Sequence, residues 1–195
     1  MSRKLLIGNN EATSLLIHVD SRTLTETSTV WTDLSGNNNN FILDGSLDVN
    51  ENGLLMTSSL VKGGTEVELN GEFVIEYEVY RTDAVNSVAT FSLNQNNSSK
   101  YSEGIVANGN YNIRGYDGDI ITNFIIQLNT PYLIRVEYKD DIKVYFDGVL
   151  IGTYNKNTFS PNGDYIIYLG SSSYNNYPIN NSHFRIKSFK LYNQI

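Results

Sequence analysis

Cysteine is absent from the 195 residues, which removes a disulfide framework, thiolate-held zinc or iron–sulfur centres and a cysteine nucleophile. Histidine is nearly absent: His18 and His183 leave little material for a zinc site or a catalytic triad. Basic residues are outnumbered, 14 Lys and Arg against 21 Asp and Glu for a net charge of −7. That balance carries no electrostatic footprint for duplex nucleic acid. No apolar run approaches the roughly 18 residues of a membrane helix. At the N-terminus, Arg3 and Lys4 are followed only by Leu5, Leu6 and Ile7, short of the roughly 7–15 apolar residues of a secretory signal. Neither a nucleic-acid partner, nor a membrane, nor export through a leader is expected.

Turn and strand formers are abundant. There are 26 Asn and 15 Gly but only 3 Pro, and Asn and Gly enter left-handed turn conformations most easily. With 14 Tyr and many Thr, Val and Ile, this is the composition of a strand-and-turn protein. The periodicity is two almost throughout. Phe73, Ile75, Tyr77 and Val79 share one face against Val74, Glu76, Glu78 and Tyr80; Tyr132, Ile134, Val136 and Tyr138 alternate with Leu133, Arg135 and Glu137; Ile142, Val144 and Phe146 alternate with Lys143 and Tyr145. Such segments read as antiparallel strands with one face on a core and one toward solvent.

Asp147-Gly148 is the strongest hairpin signal, and Asp140-Asp141 reads as a second tight turn. On the order of a dozen short strands are expected, with no helix and no linker. The apolar set of the last segment slips by one residue between Phe184/Ile186 and Phe189/Leu191, which predicts a bulge near Lys187-Ser188. One domain is expected over residues 14–195, with 1–13 as an arm or anchoring segment.

Three stretches in order resemble the laminin-G-like branch of the concanavalin A-like lectin/glucanase superfamily. They are Val30-Trp31-Thr32-Asp33-Leu34-Ser35-Gly36-Asn37 with Phe41-Ile42-Leu43, then Thr130 through Tyr154 around Asp147-Gly148, then Tyr168-Leu169-Gly170-Ser171-Ser172 with Phe184 to Tyr192. The resemblance implies an all-β jelly-roll β-sandwich of two antiparallel sheets, six or seven strands each. It also implies a Ca²⁺ site at a loop edge, for which Asp20, Asp33 and Asn37 are the candidates. Asp33, Ser35 and Asn37 have the oxygen spacing that suits a hard cation, and equally that of an Asx turn in which Asp33 accepts backbone N–H groups.

Glycan binding needs aromatic faces and planar polar groups. Asn110–Asp117 is the richest segment, with Tyr111 and Ile113 on one face and Asn112, Arg114 and Tyr116 on the other, ending at Asp117. Tyr174 and Tyr177 form a second candidate in a loop, whereas Trp31 reads as a buried anchor and His18 as structural. The nearest approach to the paired carboxylates of a retaining glycosidase is Glu72, Glu76 and Glu78, of which alternation puts Glu76 and Glu78 on a solvated strand face.

The resemblance and the missing leader together give the expectation of a non-catalytic, lectin-like bacteriophage virion protein (capsid decoration, head-fibre, baseplate or tail component). Its partners would be a host-surface glycan, other virion proteins or further copies of itself, with no cofactor required and Ca²⁺ the one candidate ion. The alternative is a free carbohydrate-binding protein or accessory module, extracellular or cytoplasmic. A glycoside hydrolase stands third.

Overall fold

Alternation of large apolar and polar side chains over eight or nine residues at a stretch gives strands that bury one face, and antiparallel pairing of those strands builds the molecule. A computed structural model describes residues 13–56, 61–83, 87–95, 101–107, 109–115, 118–155, 162–170 and 184–194. The expected arm is thus outside the described residues except for Thr13, where the first strand begins.

In chain order the strands are β1 (Thr13–Asp20), β2 (Val30–Trp31), β3 (Phe41–Leu43), β4 (Val49–Asn50), β5 (Gly53–Leu55), β6 (Val61–Gly63), β7 (Val67–Asn70), β8 (Phe73–Arg81) and β9 (Ser87–Gln95). They continue as β10 (Tyr101–Ala107), β11 (Asn110–Gly115), β12 (Gly118–Ile125), β13 (Pro131–Tyr138), β14 (Asp141–Phe146), β15 (Val149–Asn155), β16 (Asn162–Leu169) and β17 (Phe184–Gln194). Among the described residues the only helical piece is one 3₁₀ turn, Ser21–Thr23, and no helix is long and apolar enough to cross a membrane.

Eight strands form one sheet, ordered β15-β14-β13-β8-β17-β5-β4 with β1 also on β17; nine form the other, ordered β12-β11-β10-β9-β16-β6-β3-β2 with β7 also on β16. All their pairings are antiparallel. This is the expected all-β jelly-roll β-sandwich. The strands number more than a dozen because segments such as Val30–Trp31 and Val49–Asn50 make two-residue pairings too short to show a period.

The apolar faces meet between the sheets. Phe124 stacks on Phe146 across the gap with ring centroids 3.8 Å apart and Phe41 meets Phe189 edge-on at 6.2 Å, while Phe73 stacks on its neighbour Tyr138 within the eight-stranded sheet at 4.3 Å. Trp31 is fully buried, as an anchor should be. The expected irregularity in β17 is present as a register shift between Ile186 and Ser188 against β8. It lets Ile186, Phe189 and Leu191 all enter the core.

The hairpin between β14 and β15 turns at Asp147 (φ 49) and Gly148 (φ 82), the pair of positive φ values that a type I′ turn requires. The turn placed at Asp140-Asp141 lies one residue earlier, over Lys139–Asp140, since Asp141 already pairs with Asn155. Strand β8 departs from the half-buried expectation: Val74 and Glu76, turned away from the core, are buried as well. It is a central strand, and Tyr192 beside Val74, with Arg135 and Lys190 beside Glu76, covers that second face.

Candidate functional site

Strand β11 settles which residues of Asn110–Asp117 face where. Tyr111 and Ile113 belong to the core. The Tyr111 hydroxyl shares a 2.9 Å hydrogen bond with that of Tyr77 from the opposite sheet. Tyr77 also pairs with Thr90 Oγ1 at 2.9 Å, and Thr90 Oγ1 donates to Gly104 O at 2.9 Å. Burial pushes the phenols of Tyr77 and Tyr111 well above their ordinary value. Tyr111 is therefore corrected from a ligand-stacking residue to a core residue, because its ring is completely covered and its hydroxyl is used internally. Asn112 and Arg114 point the other way, as alternation predicts.

That outer face of the nine-stranded sheet brings in neighbours from far along the chain. Ser92 on β9 alternates with the core residues Phe91 and Leu93, and Tyr168 on β16 with Ile167 and Leu169. Register places Tyr168 beside Ser92, Ser92 beside position 103, and position 103 beside Arg114. One step along, Ile105 sits beside Asn112. Ser92, Ile105, Asn112 and Tyr168 thus form a strip on the side away from the core, and all four are nonetheless buried.

Two atoms of this strip are orphans: Ser92 Oγ and Asn112 Oδ1 touch no solvent and have no hydrogen-bond partner. Ser92 is 0% and Asn112 6% exposed. Among the described residues the other two such atoms are Trp31 Nε1, on a core residue, and Asn193 Oδ1, near the end of β17. Only Ser92 and Asn112 share a face. A buried polar atom left unpaired costs about 1–3 kcal/mol, so a native structure keeps one for a reason. Sequence reasoning missed Ser92 and Tyr168, although the single polar position between Phe91 and Leu93 was a signal. Tyr116, Asp117, Tyr174 and Tyr177 lie outside the described residues.

The expected cation residues have other work. Asp33 accepts from the backbone N–H groups of His18 (2.9 Å), Ser35 (2.9 Å) and Asn39 (3.0 Å) and from Ser35 Oγ (2.6 Å). Burial would raise its pKa, but those hydrogen bonds outweigh burial and hold it below the usual value. Asn37 donates its amide to Leu15 O and Leu16 O, and Asn39 Nδ2 donates to Leu16 O as well. Asp20 caps the 3₁₀ turn and forms an ion pair with Arg22, whose hydrogen bonds lower its pKa. Of the two readings, the Asx turn is the one the geometry displays. Asp20 is not among the partners of Asp33 or Asn37.

Glu76 also departs from expectation. It is only 4% exposed, held between Arg135 Nη1 at 3.5 Å and Lys190 Nζ at 3.7 Å. Glu78 pairs with Lys187 Nζ at 3.2 Å. Both carboxylates are spoken for by cations of neighbouring strands, on the outer face of the eight-stranded sheet.

No protein-family model and no curated protein matches this sequence. Solved structures do. Domain 4 of AbnA, a GH43 extracellular arabinanase from Geobacillus stearothermophilus, in complex with arabinotriose, is similar over 95% of this chain and 94% of that one, with a TM-score of 0.70 and 13% identity. The botulinum neurotoxin serotype D ligand binding domain in complex with N-acetylneuraminic acid is similar over 93% of this chain and 48% of that one (TM-score 0.67, 12% identity). Trypanosoma rangeli sialidase in complex with sialic acid matches over 93% of this chain and 31% of that one (TM-score 0.69, 12% identity). The chain spans about half of the toxin domain and about a third of the sialidase. None of the three is a virion protein. At such low identity the likeness is one of fold, and the chain shares with all three a β-sandwich architecture.

Proposed function

We propose that this chain is a non-catalytic carbohydrate-binding module whose site is the outer face of the nine-stranded sheet around Ser92, Asn112, Arg114 and Tyr168. The observation that carries the reading is the pair of orphaned polar atoms, Ser92 Oγ and Asn112 Oδ1, on one face. A hydroxyl-rich ligand supplies the missing partners, and the neighbouring Ile105 and Tyr168 supply the apolar contact that sugar C–H faces need. Three structures of similar fold were solved with arabinotriose or sialic acids bound, which supports the ligand class. The ion-paired state of Glu76 and Glu78 supports binding without hydrolysis.

A place in a virion, the setting expected from the sequence, has no counterpart among those structures, and the proposal is confined to the module. A glycan array probed with the purified chain tests it: retention on defined sugars is expected, with no turnover of those retained. An array on which no sugar retains the chain would end the proposal.

A further inference from the structure

Ser92 and Asn112 are both neutral, and both can give and take hydrogen bonds. Ser92 lies on β9 and Asn112 on β11, with β10 between them. Asn112 stands two residues along β11 from Arg114, the position in line with Ser92. From strand spacing and rise, their Cα atoms are roughly 12 Å apart. One sugar ring does not cover that distance, and two linked rings do.

The Asn112 amide offers an acceptor and a pair of donors side by side, in whichever orientation it is held. Two adjacent hydroxyls on a sugar match it, one donating and one accepting. A carboxylate donates nothing, so it leaves the amide oxygen unpaired and repels it. Arg114, a cation on the same face, already has a partner, the acidic Glu103 stands in register between Ser92 and Arg114, and the chain's net charge of −7 disfavours an anion from a distance. The two orphaned groups are themselves neutral and suited to hydroxyls.

We propose that this strip binds a neutral oligosaccharide of at least two units, adjacent hydroxyls of one unit on the Asn112 amide and a hydroxyl of the next on Ser92, and that it rejects sialic acid. The inference rests on the carbohydrate-binding reading and adds the chemistry of the ligand, against the precedent of the sialic-acid complexes of similar fold.

The test is calorimetric titration of the full chain with arabinose, arabinotriose, galactose, lactose, glucose and maltotriose beside N-acetylneuraminic acid and 3′-sialyllactose. At least one neutral oligosaccharide is expected to bind tenfold or more tighter than its monosaccharide and than either sialylated probe. Ser92→Ala and Asn112→Leu should each weaken it at least fivefold. Should Asn112→Leu fail to fold, Asn112→Ala, which removes the same oxygen without adding bulk, should do the same. Tighter binding of the sialylated probes would overturn the ligand class. Binding unchanged in all variants would overturn this site and leave the module standing, whereas no binding by any sugar, here or on the array, would end both readings.

Discussion

The hydroxyls of Tyr77 and Tyr111 meet at 2.9 Å in the middle of the core, one from each sheet. This contact fixes the roll of β11, because a strand that commits Tyr111 inward must turn Asn112 outward. Tyr111→Phe removes one partner from the three-hydroxyl cluster while Tyr77 keeps Thr90. A loss of about 1 kcal/mol is expected in urea unfolding; a loss near zero would show that the cluster adds nothing to sheet docking.

Gly104 lies opposite Phe91 in the β9–β10 ladder, and a Cβ there would come within 2.5 Å of the Phe91 ring and 2.8 Å of Thr90 Oγ1. Gly104→Ala should therefore destabilise the chain by about 1–3 kcal/mol through overpacking. Thermal unfolding measures it, and an unchanged midpoint would mean that the ladder gives way more easily than its packing implies.

Glu76 and Glu78 sit on one strand face yet should differ sharply on neutralisation. Glu76→Gln takes a nearly buried counter-charge from Lys190 and Arg135, of which Arg135 keeps Glu137 at 2.8 Å, so a loss of roughly 1–3 kcal/mol is expected, below the roughly 3–5 kcal/mol of a fully buried pair. In Glu78→Gln the lost pair is about one-third exposed on both sides, and a change of about 0–1 kcal/mol is expected. Equal effects in urea unfolding would contradict the assignment.

Acid should weaken the fold in two stages. Burial, aided by the Lys190 charge and opposed by Asp20 and Asp33, lowers the His18 pKa, so the unfolded chain takes up that proton first. Stability is then lost as pH falls through about 6.5 and below. Asp33 and Asp20 are held below their usual value, so a second loss begins as pH falls below about 4. His18→Gln should flatten the first stage of a melting-temperature profile and Asp33→Asn part of the second; profiles matching the unaltered chain would refute both attributions.

With all four hydrogen bonds to Asp33 made from within, chelator and millimolar Ca²⁺ should leave the melting temperature alike. A rise with Ca²⁺ would show that a cation displaces those donors.

Local pattern carried much of the architecture. The Phe73–Val79 and Tyr132–Tyr138 faces, the Asp147-Gly148 turn and the bulge near Lys187-Ser188 were all legible, since each depends on residues close in sequence. Partners were not. Period two says that Asn112 and Tyr111 oppose one another, but which of them faces the core depends on Tyr77, 34 residues away. The same limit hid Ser92 beside Tyr168 and the cover that Arg135 and Lys190 place over Glu76. Half of the candidate site, Asn112 and Arg114, was therefore readable as a face, and the other half arrived only with strand order.

The most direct measurement is an NMR titration of the ¹⁵N-labelled chain with the neutral oligosaccharide that binds it best. Shifts are predicted at the Asn112 side-chain amide and at the backbone amides of Ser92, Arg114 and Tyr168. Shifts confined to the Asp33–Asn39 turn, or to the outer face of the eight-stranded sheet around Glu76, would contradict the account.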